Sequence, residues 1–189
     1  MADFLIRPYS PADSIPAITA LLHDAYGSLA RQGFRFLASH QDDAMTLSRL
    51  TSGDAFIAES AGQIIGTISV YPPWPDSPCE LYRQPGVFRL GQLAVAPPLQ
   101  SQRIGRALME YGEQHARSRG AIELAMDTAE GAAHLLDWYQ RLGSGTLATC
   151  SGTTRITAAR CCRRRWRRIA TPRQVVSVVR IWAAVIEDE

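Results

Sequence analysis

The feature that most constrains the fold of this chain is a strand that runs into a helix across a short polar loop. Gln92-Leu-Ala-Val95 reads as a strand, and Gln100-Ser-Gln-Arg-Ile-Gly105 forms the loop and the start of the helix. Apolar and aromatic residues then recur at the three- and four-residue steps of a buried helical face, at Ile104, Ala107, Leu108, Tyr111 and His115. The first turn of a helix has backbone N–H groups without intrahelical partners and carries partial positive charge. The sequence therefore predicts a phosphate site at this junction.

The loop resembles motif A of the GCN5-related N-acetyltransferases (GNAT), in which Gln/Arg-x-x-Gly-x-Gly/Ala surrounds the pyrophosphate of acetyl-coenzyme A. Gln100 and Gly105 match the ends of that pattern, and Arg103 replaces its middle glycine. A Cβ atom is unfavourable there if φ is positive, although the guanidinium can add a charge-assisted bond to phosphate. An ordinary strand-loop-helix unit with a polar surface loop is the alternative interpretation.

The resemblance implies that acetyl-coenzyme A is the cosubstrate, and it implies no metal. It assigns the pantetheine arm to the backbone of the strand, at Leu93, Ala94 and Val95. It assigns the pyrophosphate to the loop and the first helical turn, at Gln100, Ser101, Gln102, Arg103, Ile104, Gly105 and Arg106.

The predicted order of elements extends the resemblance over residues 4–143. The predicted elements are a strand at Phe4–Arg7, a helix capped by Asp13 or Ser14, a helical region at 33–50, a hairpin of 55–59 and 63–71 around Ala61-Gly62, a strand at Val87–Val95, the motif A helix ending at Arg119-Gly120, a strand at 122–126 and a helix at 132–142. This is the acetyltransferase order. The expected fold class is therefore α/β (α+β), a GNAT-type mixed, mostly antiparallel sheet flanked by helices, with atypical or disrupted C-terminal strands.

Composition changes abruptly at Gly143, so the expected domains are a GNAT acetyltransferase domain at 1–143 and an atypical basic tail at 144–189. Up to Leu142 the chain has 11 Arg against 15 acidic residues, whereas the remainder has 9 Arg against 3 acidic residues.

Three interpretations of the tail stay open. A nucleic-acid arm would use its arginines on phosphates and stack Trp166 on a base. A zinc site at Cys150, Cys161 and Cys162 lacks a fourth ligand, because no histidine follows Cys150.

The third interpretation is that the tail is translated out of frame. Freely chosen synonymous codons from Gly143 to Ala159, regrouped one base earlier, read GFRHVGYVQWDNTNYRS, which resembles an acetyltransferase ending. The chain as written would then lack the strands that cover the sheet beside 122–126, leaving an unpaired edge. We expect marginal stability or inactivity unless the β-branched run Val175–Val185 substitutes as a strand.

Length and composition agree with a single domain: 189 residues, of which 46% are hydrophobic, can bury a substantial core. The sequence has no transmembrane run, and its amino end has no signal-peptide pattern. A cytoplasmic location without a membrane partner is therefore expected.

Every basic residue is arginine, which points to a GC-rich coding sequence rather than to a partner. Nucleic acid is disfavoured as a partner, and a homodimer is allowed.

The chemistry implied by the resemblance is transfer of acetyl from the thioester to a primary amine of a small-molecule or peptide acceptor. The segment Asp137-Trp-Tyr-Gln-Arg-Leu-Gly143 matches the place of the family's general acid, so the resemblance assigns that role to Tyr139. A phenol is protonated at neutral pH and can therefore donate to the departing thiolate. The alternative role of Tyr139 is packing, in a helical stripe with Leu135, Leu136 and Leu142. A noncatalytic acyl-coenzyme A or regulatory binding module is the alternative function.

Several further residues are weaker candidates. Gln92 faces the acetyl group or the acceptor substrate, or alternatively solvent. Glu80 in a Pro-rich loop is a candidate base, and His134 has no assigned role. Ala132 occupies a slot where many relatives carry asparagine, which removes one cofactor contact. The acceptor region is expected near Arg31, Phe34, Arg35, Gln41, Asp42 and Asp43.

Overall fold

The structure, a computed structural model, describes residues 3–34, 36–129, 132–142, 145–150 and 159–165. In chain order its elements are β1 (Leu5–Pro8), α1 (Ile15–Arg31), α2 (Asp43–Thr51), β2 (Asp54–Ser60), β3 (Gln63–Tyr71), α3 (Glu80–Arg83), β4 (Val87–Val95), α4 (Ile104–Ser118), β5 (Glu123–Ala129), α5 (Ala133–Arg141), β6 (Gly145–Cys150) and β7 (Ala159–Arg165), with short 3-10 turns at Leu37–Ser39 and Pro97–Leu99. The chain divides into two compact units, Met1–Tyr71 with Leu90–Arg119 and Pro72–Arg89 with Gly120–Glu189.

In the first unit, polar side chains fix where the two amino-terminal helices begin. Ser14 caps α1, with its hydroxyl accepting a hydrogen bond from the Ala17 N–H at 3.3 Å. Asp13, the other predicted cap, instead pairs with the Arg7 guanidinium at 2.7 Å. Asp42 caps α2 by accepting from the Met45 N–H at 2.7 Å. The predicted helical region 33–50 is therefore a 3-10 turn followed by a capped helix.

The sheet of the first unit has the strand order β1-β2-β3-β4. The pairs β1·β2 and β2·β3 are antiparallel, and the predicted hairpin between β2 and β3 is confirmed. Its two loop residues, Ala61 and Gly62, both have positive φ, at 48° and 75°, as a type I′ turn requires. This turn matches the right-handed twist of the strands and therefore fixes their register.

Each face of this sheet is covered by helices. On one face α4 comes close at Gly112, where an added Cβ would lie 3.2 Å from Ile68 Cδ1. The opposite face packs against α1 and α2, through a cluster that includes the fully buried Ile18, Leu22 and Ile57. Residues of β2 and β3 therefore alternate between an α4-facing set and a set facing α1 and α2.

The second unit contains the first three residues of β4, and its strand order is β4-β5-β7-β6. Antiparallel pairing joins β5 to β7, with Met126 opposite Cys162, and joins β7 to β6. The expectation of an unpaired edge beside β5 is therefore wrong, because residues 159–165 supply the neighbouring strand. The run Val175–Val185, proposed as a substitute, lies outside the described residues.

Two local predictions in this unit need correction. The strand predicted from Ile122 begins one residue later, and Ile122 is 55% exposed. Glu80, expected in a loop, is the first residue of the short helix α3. Among the described residues, no helix has the length and apolar character needed to cross a membrane.

Candidate active site

The predicted phosphate loop connects β4 to α4 through two residues in the left-handed region. After the 3-10 turn Pro97–Leu99, Ser101 has φ 65° and Arg103 has φ 69° and ψ 1°. Left-handed backbone is unfavourable for residues with a Cβ, and two such residues within three positions are rare. Arg103 therefore has the positive φ at which a Cβ was expected to be unfavourable in this glycine position.

The backbone N–H groups of this loop point to an anion site. In the described part of the chain, the N–H groups of residues 101–106 have no hydrogen-bond acceptor, and the first bond at this helix end runs from Ala107 N–H to Arg103 C=O at 2.9 Å. Arg103 is the N-cap but makes no side-chain capping bond. Ser101, Gln102 and Arg103 are exposed. Open donors at a helix amino terminus suit a phosphate group.

Side chains hold the loop to its neighbours. The Gln100 amide donates to the Val95 carbonyl at 3.2 Å, and Arg106 pairs with Glu110 at 2.8 Å on the exposed face of α4. The predicted buried stripe is confirmed at Ile104 and Leu108, which are at most 1% exposed. Its later members, Tyr111 and His115, lie at the edge of the interface, and both pack on Phe56 with ring centroids 4.8 Å apart. Gly112 and Ala116 complete the buried face instead.

The three strand residues assigned to the pantetheine arm lie in the same unit as the loop. The Leu93 carbonyl accepts a hydrogen bond from the Tyr26 hydroxyl at 3.0 Å, and the Val95 carbonyl accepts from Gln100. Ala94 is 3% exposed and belongs to the core packed against α1. The strand segment 93–95 is therefore held from both ends by side chains of α1 and of the phosphate loop.

A bulge in β4 was missed by the sequence reasoning. Leu90 faces α4, where it lies 3.2 Å from a Cβ built on Gly112. The next two residues both face the opposite side: a Cβ on Gly91 would lie 3.0 Å from the Tyr71 ring, and the Gln92 side chain bonds Gln41. Gln92 has φ 51°. Two consecutive residues on one face define a β-bulge, and glycine inside the strand pattern was the available signal.

Gln92 is anchored in a chain of buried polar side chains. Its amide oxygen accepts from the Gln41 amide at 3.0 Å, and its amide nitrogen donates to the Gln41 oxygen at 3.4 Å. The Gln41 amide also donates to the Thr46 hydroxyl at 2.7 Å, which contacts the Thr19 hydroxyl at 2.9 Å. Because Gln92 is 3% exposed, the solvent-facing alternative is wrong.

Tyr139 lies in the second unit, in the last turn of α5. Its side chain is 8% exposed, and its ring centroid is 5.0 Å from that of Trp138. Leu136 shares the buried stripe with Tyr139, while Leu135 and Leu142 are only half-buried. The packing role expected of Tyr139 is thus present, and its role as an acid stays a prediction.

The weaker candidates divide into structural and exposed residues. Asp42 acts as a helix cap, and Ala132 is fully buried at the start of α5. Arg35 lies outside the described residues. The exposed candidates are Arg31, Asp43, Glu80 and His134, and Phe34 is half-buried. No group of three or more metal-binding side chains occurs in the part of the chain that the structure describes.

Comparison with known proteins agrees with this geometry. The profile of the Acetyltransferase (GNAT) family matches residues 16–144. A curated relative, S-(2-succino)cysteine N-acetyltransferase of Bacillus subtilis (strain 168), is 28% identical over 122 residues, which cover 63% of this chain and 71% of the relative.

Two solved structures share the fold. One is a GNAT family acetyltransferase from Elizabethkingia anophelis with acetyl-CoA bound, with a TM-score of 0.60 and 19% identity over 86% of this chain and 98% of that one. The other is a PaiA N-acetyltransferase from Thermoplasma acidophilum in complex with coenzyme A, with a TM-score of 0.66 and 11% identity over 87% of this chain and 99% of that one.

The chain belongs to the GNAT acetyltransferase family. The predicted fold class, a mixed and mostly antiparallel sheet with flanking helices, is confirmed. The cofactor prediction agrees with the ligands of the two solved structures, which hold acetyl-CoA and coenzyme A. The N–H groups of residues 101–106 are suited to the pyrophosphate that both ligands contain.

Proposed function

We propose that this protein transfers the acetyl group of acetyl-coenzyme A to a primary amine, within an acetyltransferase domain at residues 1–143. The observation that carries the proposal is the set of N–H groups at residues 101–106, which have no acceptor in the described part of the chain, in a loop whose last residue, Arg103, is left-handed. Main-chain donors of this kind bind a diphosphate regardless of side-chain type. The family match and the acetyl-CoA complex of a structural neighbour support the same cosubstrate.

In the proposed reaction the neutral amine attacks the thioester carbonyl carbon, and the C–S bond breaks. The amine loses one proton to solvent, and the departing thiolate gains one, so the products are an amide and free coenzyme A. Tyr139 is the proposed donor to the thiolate. The backbone of Leu93, Ala94 and Val95 holds the pantetheine arm, while Gln100 orients the loop through the Val95 carbonyl.

The acceptor class we propose is a small-molecule amine, with a peptide amine as the second class. The curated relative is by name an acetyltransferase of a cysteine derivative, which supports an acceptor with an amino-acid backbone. A noncatalytic acyl-coenzyme A or regulatory binding module is the competing function. Both functions require the same phosphate site.

A thermal-shift titration tests this shared requirement. A ligand at about one hundred times its Kd stabilises the native state by about 2.7 kcal/mol. For a chain of this size that corresponds to a rise in Tm of about 5–10 °C. Coenzyme A and dephospho-coenzyme A, which both contain the pyrophosphate, should give this rise. Pantetheine, which lacks it, should not. Equal rises in Tm with all three ligands, or no rise in Tm with any of them, would contradict the phosphate site.

Release of free thiol from acetyl-coenzyme A then separates the enzyme from the binder. Turnover with at least one member of a panel of amino acids, thioether amino acids, polyamines and peptides is the result expected for an enzyme. Binding of coenzyme A without amine-dependent thiol release across the panel would favour the noncatalytic function.

A further inference from the structure

The bulge in β4 lies immediately before the residues proposed to hold the pantetheine arm. Gln92 at the bulge is directly followed by Leu93, Ala94 and Val95. Because a bulge changes the direction of the strand that follows it, the backbone conformation of Gln92 sets where the next three residues present their N–H and C=O groups.

That conformation is unfavourable for glutamine by itself. Gln92 has φ 51°, in the left-handed region that a residue with a Cβ rarely adopts. Such strain persists when surrounding contacts over-determine the conformation. The contacts that do so must hold either the Gln92 side chain or the adjoining backbone.

Gln41 supplies such a contact. It lies just before α2, is 2% exposed, and pairs with Gln92 through both amide groups. Gln41 is itself fixed by Thr46, whose hydroxyl contacts Thr19 on α1. The Gln41 carbonyl lies 2.8 Å from His23 Nε2. The amide pair is therefore tied to two helices rather than to a free loop.

A second contact holds the next residue. The Tyr26 hydroxyl donates to the Leu93 carbonyl, and the Tyr26 ring packs on Phe36 with centroids 5.4 Å apart. Two consecutive residues of β4 are thus held in place. Gln41, in the segment that joins α1 to α2, bonds the Gln92 side chain, and Tyr26, in α1, bonds the Leu93 backbone.

We propose that Gln41 is a positioning residue for the coenzyme A arm: through its amide pair with Gln92 it holds the left-handed bulge that aims the backbone of residues 93–95. This inference rests on the proposed function, because it assumes that those residues bind the pantetheine arm. Gln41 itself touches neither the cosubstrate nor the acceptor in this role.

The test exploits the difference between glycine and alanine at position 92. Gly adopts positive φ without a penalty, whereas Ala retains the Cβ that makes it unfavourable. Gln41→Leu removes the amide pair and should raise the Kd for coenzyme A about tenfold, since left-handed backbone costs a residue with a Cβ about that factor. Gln41→Leu/Gln92→Gly should bind within about twofold of Gln92→Gly alone, which should itself bind normally.

Gln41→Leu/Gln92→Ala should bind coenzyme A as weakly as Gln41→Leu. This variant, like Gln41→Leu/Gln92→Gly, removes the Gln92 amide left unpaired by Gln41→Leu, but it keeps the Cβ at position 92. Gln32→Leu is the matched control, because Gln32 lies in the same segment but is exposed, and its side-chain amide donates to the Ser28 carbonyl. It should leave the Kd unchanged. Isothermal titration with coenzyme A measures all five variants without needing the acceptor.

Three results would overturn the proposal: unaltered binding in Gln41→Leu, loss of binding in Gln92→Gly, or equal rescue by Ala and Gly. If Gln41→Leu does not fold, Gln92→Gly and Gln92→Ala in the unsubstituted chain carry the comparison, with normal binding expected only for Gly. Failure of the unsubstituted protein to bind coenzyme A would refute the proposed function instead, so the two failures are distinguishable.

Discussion

Arg103 combines two effects that substitution can separate. Its backbone has φ 69°, so its Cβ destabilises the native loop, while its side chain is exposed and belongs to the loop whose N–H groups are proposed to bind phosphate. Arg103→Gly removes both the Cβ and the charge. Arg103→Ala removes the charge but keeps the Cβ. Comparing the two variants therefore isolates the backbone contribution to stability and the side-chain contribution to binding.

The expected change in stability follows from two opposing terms. Left-handed backbone costs an ordinary residue about 1–2 kcal/mol relative to glycine. Glycine also gains entropy in the unfolded chain, which offsets about 0.4–1 kcal/mol of that. The net stabilisation in Arg103→Gly is thus about 0.5–1 kcal/mol, which raises the Tm by about 1–4 °C. Arg103→Ala should give no rise.

The expected change in affinity is the same for both variants. A charge-assisted hydrogen bond to phosphate contributes about 1.5–3 kcal/mol, so its loss should raise the Kd for coenzyme A by roughly ten- to a hundredfold. Differential scanning calorimetry of the free proteins and isothermal titration with coenzyme A measure the two quantities. A fall in Tm for Arg103→Gly, or equal Tm values for the two variants, would refute the backbone reasoning. An unchanged Kd for coenzyme A in both variants would show that the Arg103 side chain does not contribute to the phosphate site.

Three further predictions concern chemistry, pH and the C-terminal segment. Tyr139→Phe should lower kcat about a hundredfold or more while leaving the Kd for coenzyme A unchanged, and Tyr111→Phe is the control; full turnover in Tyr139→Phe would exclude the acid role. The hydrogen bond from Arg7 lowers the pKa of Asp13 in the folded protein. The stabilisation from this pair is therefore complete at pH values above the pKa of Asp13 in the unfolded chain, and it is lost as pH falls through the pKa of Asp13 in the folded protein. Asp13→Asn should cost about 1–2 kcal/mol at pH 7 and weaken the acid dependence below about pH 4, as denaturant titrations at several pH values will show. A chain that continues from Gly143 in the shifted reading frame should exceed the chain as written in Tm and in thiol release; equality in both would argue against the frame hypothesis.

Much of the fold was predictable because its signals are local. The Ala61-Gly62 turn, the cap near Ser14 and the glycine at 120 all lie within a few residues of the element boundaries that they mark. The start of α2 was not predicted, because the helical region was expected to begin at residue 33 and Asp42 was expected near the acceptor rather than as a cap. The α4 stripe was predictable at Ile104 and Leu108, where spacing alone sets the buried face. At Tyr111 and His115 it was not, because their partial burial depends on Phe56, far away in sequence.

The phosphate loop was predictable from its residue pattern, whereas the bulge and its amide pair were not. A glycine within a strand pattern permits several local structures, and only the tertiary contacts of Gly91 with Tyr71 and of Gln92 with Gln41 select the bulge. The strand beside β5 was also missed, because residues 159–165 have a composition that no strand pattern singles out.

The most direct test of the phosphate site is a crystal structure of the protein with coenzyme A. The diphosphate oxygens are expected within about 2.7–3.2 Å of backbone nitrogens between Ser101 and Arg106, with Arg103 still left-handed. Coenzyme A bound elsewhere, or a loop whose N–H groups turn away from the diphosphate, would contradict the assignment of this site.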